Sequence, residues 1–110
     1  MVEYIPKQGD IVALSFDPQS GHEQKGRRPA LIVSNHTFNQ HLGLAFTVPI
    51  TNTQRGLPFH IPVDSDNLTG YIMCEQLKSI DYKSPKAKFI EEVKPNVLGE
   101  ILGIVESIME

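Results

Sequence analysis

Two arginines and two threonines are the residues best suited to chemistry in this chain. Arg27 and Arg28 close the run GHEQKGRRP (21–29), and Thr51 and Thr53 flank Asn52 further along. A guanidinium is a planar, permanently charged fork that matches the oxygens of a phosphate two at a time. A threonine hydroxyl adds a small donor. Together they point to a phosphate site. Glu23 can orient an arginine or accept a proton, and His22 beside it has the side chain whose ordinary titration range suits a general base. Each residue also has an ordinary reading. An arginine before a proline is commonly a surface residue, Thr51 is commonly a strand-end cap, and a loop this rich in charge is commonly a solvated turn. The combination, not any single member, carries the phosphate reading.

Other chemistries lack their parts. His36 and His41 stand five apart, Cys74 is the sole cysteine, and no H-x-x-x-H, paired C-x-x-C or carboxylate cluster occurs, so no metal or cofactor is expected. There is no P-loop, no dinucleotide fingerprint and no Ser or Cys nucleophile with its own base.

The elements that must position these residues are short. DIVALSF (10–16) reads as a first strand, with Val12, Leu14 and Phe16 toward the core. ALIVSN (30–35) reads as a buried strand, and residues 36–43 as a polar stretch able to hold a turn of helix. LAFTVPIT (44–51) is a third strand in which Pro49 marks a bulge or an edge. FHIPV (59–63) is a fourth. Residues 71–81 form one strand bent near Gln76, and residues 88–93 a last one. If the strands at 30–35 and 44–51 pair antiparallel, Arg28 approaches Thr51.

Pro95 fits a first helical position, and Val97, Leu98, Ile101, Leu102, Val105, Ile108 and Met109 then recur at helical spacing. Gly99 and Gly103 on that helix are expected to permit close packing on the sheet. The result is a single domain over residues 1–110, mainly β with a C-terminal α-helix, folded as a small, partly open barrel.

Net charge is −3 across 110 residues, which argues against coating nucleic acid by bulk charge and leaves room for a local basic site. Lys7, Lys25, Arg27, Arg28 and Arg55 are the candidates for one cationic face, while Glu91, Glu92, Glu100, Glu106 and Glu110 gather near the C-terminus. No apolar run approaches a membrane span, the first residues do not read as a secretory signal, and a lone cysteine fits a reducing cytoplasm.

The run GHEQKGRRPA (21–30) resembles the G-x-E-Q-x-G-x-R-P signature of the MazF/PemK family of toxin ribonucleases. So do DIVALSFDP (10–18) before it, VPIT (48–51) after it, and YIMCEQLKSI (71–80), which is similar to a later strand of that family. The resemblance runs from about residue 4 to the terminal helix. It implies an SH3-like barrel of the PemK/CcdB type, a homodimer, and metal-independent cleavage of single-stranded RNA at short sequences. It also implies neutralisation by a cognate, MazE-like antitoxin with an acidic disordered segment.

Carried over by position, the catalytic residues are Arg28, Thr51 and Glu23, and the RNA-binding residues are Gln24, Lys25, Thr53, Arg55, Gln76 and Lys78. Glu23 and His22 both remain candidates for the base, with His22 at a variable position of the motif and more readily a spectator. The implied reaction is attack of a 2′-OH on its own 3′-phosphate, leaving a 2′,3′-cyclic phosphate and a 5′-OH; only RNA supplies that hydroxyl. A CcdB-type toxin that binds gyrase on the same fold is the alternative. A non-catalytic SH3-like module fits less well, since aromatics make up only 7% of the chain and none is Trp.

Overall fold

Ile11 and Val12 are adjacent in sequence, and neither is exposed. Adjacent strand residues face opposite sides of a sheet, so this strand is covered on both. The computed structural model describes residues 3–15, 27–83 and 86–110. Within them the chain forms β1 (Asp10–Ser15), β2 (Arg27–Ile32), α1 (His36–Leu42), β3 (Ala45–Thr51), β4 (His60–Pro62), β5 (Tyr71–Met73), β6 (Lys78–Ile80), β7 (Lys88–Glu92) and α2 (Pro95–Met109).

The strands pair antiparallel in the order β4-β5-β3-β2-β1-β7, with β6 also on β3. β3 is therefore the hinge of the sheet. Its first half pairs with β6 (Thr47 opposite Lys78) and its last residues with β5 (Ile50 opposite Ile72). Between those pairs only Val48 and Pro49 lie opposite residues 73–77, so the partner strand bulges outward. The stretch expected as one strand bent near Gln76 is therefore two, β5 and β6, divided at this bulge beside the proline that cannot support an uninterrupted ladder.

The main core joins Ile11, Leu31, Val48, Ile50, Ile61 and Ile72 to Val97 and Ile101 of α2. A second, smaller cluster on the other face joins Val12, Ile32 and Ala45 to Tyr82 and Ala87, with Tyr4, Ile5 and Leu14 at its margin. The expectation that Val12 and Leu14 face the core is thus met by the smaller cluster, whereas Ile11 faces the larger. Phe16 lies outside the described residues. The edges β4 and β7 do not pair. Instead, beyond β4, Ser65 Oγ and Asn67 Nδ2 donate to the two carboxylate oxygens of Glu91 on β7, at 2.6 and 3.0 Å. A partly open barrel, with side chains bridging the gap between its edges, describes the result.

α1 fills the polar stretch at 36–43. The Asn35 side chain caps it by accepting from Phe38 N at 2.8 Å, and Gly43 ends it in the left-handed conformation at φ 71°. Asn39, fully buried, donates to Pro6 O and accepts from Ser34 Oγ, and its carbonyl accepts from Tyr82 Oη. That network binds α1 to the N-terminal segment and to the Tyr82 turn.

α2 begins at Pro95 as its spacing predicts and buries Val97 and Ile101. The role expected of its glycines is not met. Gly99 and Gly103 are exposed, and a Cβ on either would meet nothing within 4 Å. The close-packing face is carried by branched residues instead. Both glycines therefore lower helix stability without a packing return on this chain. Gly99→Ala should stabilise the fold by roughly 0.5–1 kcal/mol, read as a rise in the urea midpoint at unchanged slope; a destabilised variant would show that the position meets a second surface.

Candidate functional site

β2 and β3 pair with Ala30 opposite Pro49 and Leu31 opposite Val48. Continued toward the end of β3, that register sets Arg28 opposite Thr51, the juxtaposition expected from sequence. A groove of about 480 Å³ opens there. Arg27, Arg28 and Pro29 form one wall and Ile50, Thr51, Asn52 and Thr53 the next, while Leu68 and Thr69 close it from the loop before β5. Among the described residues no carboxylate lines it. Two other concavities among the described residues carry acids: Asp64, Asp66, Glu91 and Glu92 in one, Glu3, Asp10 and Glu92 in the other. Among these surfaces the Arg28–Thr51 groove is the one suited to an anion.

The two arginines divide the work. Alternation along β2 turns them to opposite faces. Arg27 Nη1 donates to Lys86 O at 2.7 Å and to Ala13 O at 3.4 Å, tying the ends of β1 and β2 to the approach to β7. Arg28 is exposed at the groove. Of the residues expected on one cationic face, Arg27 and Arg28 line this groove, Lys7 lines the concavity with Glu3 and Asp10, Arg55 stands outside the groove, and Lys25 lies outside the described residues. Thr51 is oriented by its neighbour. Thr53 N donates to Thr51 Oγ1 at 3.2 Å, which leaves the hydroxyl proton to donate elsewhere.

Glycine is required at one point of this site. A Cβ on Gly70 would lie 2.8 Å from Ile50 Cγ2 and 2.9 Å from Thr51 O. The bare backbone there lets the loop that ends at Gly70 lie directly on the end of β3. Gly70, Asn52, Leu68 and Thr69 were not singled out by sequence reasoning. The visible signal was the glycine ending the turn-rich run DSDNLTG (64–70), which reads as an ordinary turn without the tertiary contact.

The remaining expected residues are dispersed. Lys78 is exposed on β6 opposite Thr47, which shares a face with Thr51 by alternation. The four residue steps from Thr47 to Thr51 span about 13 Å of strand. Gln76 is exposed in the bulge and Arg55 in the loop after β3, and neither lines the groove. Glu23, Gln24 and Lys25, with His22, lie outside the described residues. His36 and His41 are exposed, as expected. Among the described residues no three His, Cys, Asp or Glu side chains converge on a point that could hold a metal ion. Nor is any helix among them long and apolar enough to cross a membrane.

Sequence reasoning also missed His60. It lies on β4, opposite Met73, and its Nε2 stands 2.9 Å from Glu75 Oε2 in the bulge. Burial raises the pKa of Glu75, but hydrogen bonds from His60, from backbone and from the Gln76 side chain outweigh it, and the carboxyl sits below its ordinary range.

Both the sequence and the fold are similar to those of known proteins. Residues 7–109 match the family described as PemK-like, MazF-like toxin of type II toxin-antitoxin system. The chain is 36% identical to Endoribonuclease PemK of Escherichia coli over 108 residues, covering 94% of this chain and 81% of that protein. It is 34% identical to Endoribonuclease toxin MazF of Escherichia coli (strain K12) over 95 residues, covering 86% of each. Its fold is similar to the crystal structure of MazE-MazF (Form-II) from Deinococcus radiodurans, with a TM-score of 0.88, 35% identity and 97% of each chain covered.

The close approach at Gly70 is directly testable. Gly70→Ala should displace the end of β3, seen as amide shift changes concentrated at residues 50–53, and should cost about 1–3 kcal/mol of stability. Unperturbed amides at Thr51 and Thr53 would show that Gly70 does not set the groove.

Proposed function

The chain belongs to the PemK-like, MazF-like toxin family of type II toxin–antitoxin systems, and from that premise we propose that it is a one-domain, sequence-specific endoribonuclease that cleaves single-stranded RNA without a metal ion. The observation that carries the reading is the antiparallel β2–β3 register, which sets Arg28 across from Thr51 in one groove. That both E. coli relatives are endoribonucleases supports the activity. Neither they nor the family match lends support to the gyrase-binding alternative.

The reaction is a transesterification within RNA. A 2′-oxygen forms a bond to the adjacent phosphorus, the bond to the 5′-oxygen breaks, and the products are a 2′,3′-cyclic phosphate and a 5′-OH. Phosphorus gathers negative charge as the new bond forms. A guanidinium held beside it stabilises that charge more than it stabilises the substrate, which is what lowers the barrier. Arg28 takes this role. Arginine does not deprotonate in proteins, so it acts as a fixed charge and hydrogen-bond donor. Thr51, with its lone pair occupied by Thr53 N–H, donates its proton to a phosphate oxygen. Glu23 is assigned the proton of the 2′-OH, with His22 as the other base of suitable chemistry. Gln24, Lys25, Thr53, Arg55, Gln76 and Lys78 hold the flanking RNA, with Arg28 and Lys78 at two ends of one strand face.

The same groove suits an acidic, disordered antitoxin segment, whose carboxylates would occupy positions taken by RNA phosphates. Solved structures of similar chains with MazE support a partner of that kind. The acting form is a homodimer, supported by family resemblance and by exposed apolar side chains such as Phe46, Phe89 and Met109. A buried, unpaired thiol at Cys74 fits a cytoplasmic setting.

The test is cleavage of a long mixed RNA by purified protein in EDTA, with both new ends identified. Cyclic phosphate upstream and 5′-OH downstream are expected, and activity that requires added Mg²⁺, or a 5′-phosphate product, would contradict the reading. Arg28→Ala should lower kcat by about 10²–10³-fold, in the range for a preorganised donor at developing charge. Arg28→Lys should recover little, because a point charge does not replace a fork. Near-wild-type turnover by folded Arg28→Ala protein would remove Arg28 from the site.

A further inference from the structure

We propose that Glu91, on the edge strand β7, is a positioning residue for RNA binding: its carboxylate clasps the loop 64–70 and so fixes the wall of the groove that Leu68 and Thr69 form. The inference rests on the reading of that groove as the RNA site.

The loop is a partition between two concavities. Residues 63–67 line the acidic one together with Glu91, whereas Leu68 and Thr69 line the Arg28–Thr51 groove. Backbone closes its neck: Val63 N donates to Gly70 O at 3.0 Å, and Gly70 rests on the end of β3. A closed neck sets where the loop starts and ends but not how the residues between them lean. Asp64 enters the loop at φ 60°, a left-handed conformation unfavourable for a residue with a Cβ, so local preference does not account for the path.

Glu91 supplies what the neck lacks. It stands opposite Ile11 on β1, which fixes its backbone in the sheet. Its Oε2 accepts from Ser65 Oγ at 2.6 Å and its Oε1 from Asn67 Nδ2 at 3.0 Å. Two bonds to one planar group fix the tilt of the loop as well as its distance, and bonds to a charged acceptor are the strong kind. Asn67 N also donates to Ser65 Oγ at 3.0 Å, so the two clasped residues are tied to each other. An ion pair at the same loop, Lys94 Nζ to Asp64 Oδ1 at 3.5 Å, is exposed on both sides and holds little. Leu68 and Thr69 follow Asn67 directly. Leu68 packs partly on the main core, and Thr69 is exposed, so the place of Thr69 depends most on the clasp. Glu91 acts through the loop and touches no RNA itself.

Charge gives the inference a distinctive sign. Glu91 is an anion one loop away from a surface suited to anions, so by charge alone its removal should tighten RNA binding. As a positioning residue it has the opposite effect, because RNA must then order the loop itself and affinity falls by that cost.

The test measures kcat and KM of the full chain on a single-stranded RNA that the wild type cleaves. Glu91→Ala should raise KM about fivefold to tenfold and leave kcat within about twofold, since the β2–β3 register and Gly70 still hold Arg28 and Thr51. Glu91→Gln loses the charge but keeps an acceptor for Asn67 and a donor for Ser65, so its KM should stay at or below the wild-type value. Ser65→Ala combined with Asn67→Ala removes the same bonds from the loop side and should raise KM as Glu91→Ala does. Should Glu91→Ala fail to fold, that loop variant decides the matter. Unchanged or lowered KM in the loop variant, a fall in kcat at unchanged KM, or a KM raised equally by Glu91→Gln would overturn the inference while leaving the nuclease reading intact. A wild-type protein that cleaves none of a long mixed RNA would remove both.

Discussion

The antiparallel register of β2 against β3 is the constraint on which the groove depends. A slip of one residue would turn every side chain of one strand to the opposite face and take Arg28 out of line with Thr51. Burial on both faces prevents it. Leu31, Val48 and Ile50 belong to the main core, while Ile32 and Ala45 belong to the second cluster. Exposing even one such aliphatic side chain costs about 1.5–3 kcal/mol, so a slipped register forfeits several of these at once. The packing that makes the fold unique also sets the spacing of the functional pair. Gly70 adds the third wall, because only a residue without a Cβ lets that loop rest on the carbonyl of Thr51.

Charge distribution matters here more than net charge. The chain carries −3 overall, yet the groove is lined by arginine, hydroxyls and an amide. Among the described residues, three carboxylates stand elsewhere and do structural work. Asp10 accepts from Tyr4 Oη and Lys7 N, Glu91 holds the loop beyond β4, and Glu75 takes the hydrogen bond from His60. Burial, then the Asp10 bond and its charge, drive the Tyr4 pKa far up, so that tyrosine stays a donor. An acidic protein can thus offer one surface to an anion, provided its carboxylates are spent on hydrogen bonds away from that surface.

What sequence conveys well is local. Strand alternation, the Asn35 and Pro95 helix starts, and the proline at the bulge all follow from properties of a few neighbouring residues, and the Arg28–Thr51 pairing follows from assuming antiparallel neighbours. What it conveys poorly depends on the third dimension. Gly99 and Gly103 share the four-residue spacing of a packing face, but whether that face meets the sheet is set by Val97 and Ile101, which win the contact by buried area. Gly70 resembles any turn glycine until Ile50 and Thr51 are placed beside it. Arg27 and Arg28 are chemically identical and both border the groove, and only the nearby Lys86 carbonyl shows that Arg27 also ties strands together. His60 carries no sequence signal, because its partner Glu75 comes from another strand.

The central claim, that Arg28 and Thr51 serve an attack by the RNA's own 2′-hydroxyl, is tested most directly by removing that hydroxyl alone. A cleavable single-stranded RNA with one 2′-deoxy nucleotide on the 5′ side of the scissile phosphate should bind with little change and resist cleavage at that bond, while deoxy substitution one nucleotide away leaves cleavage in place. Continued cleavage at the deoxy position would mean that water or another external nucleophile attacks the phosphorus, and the account would be wrong.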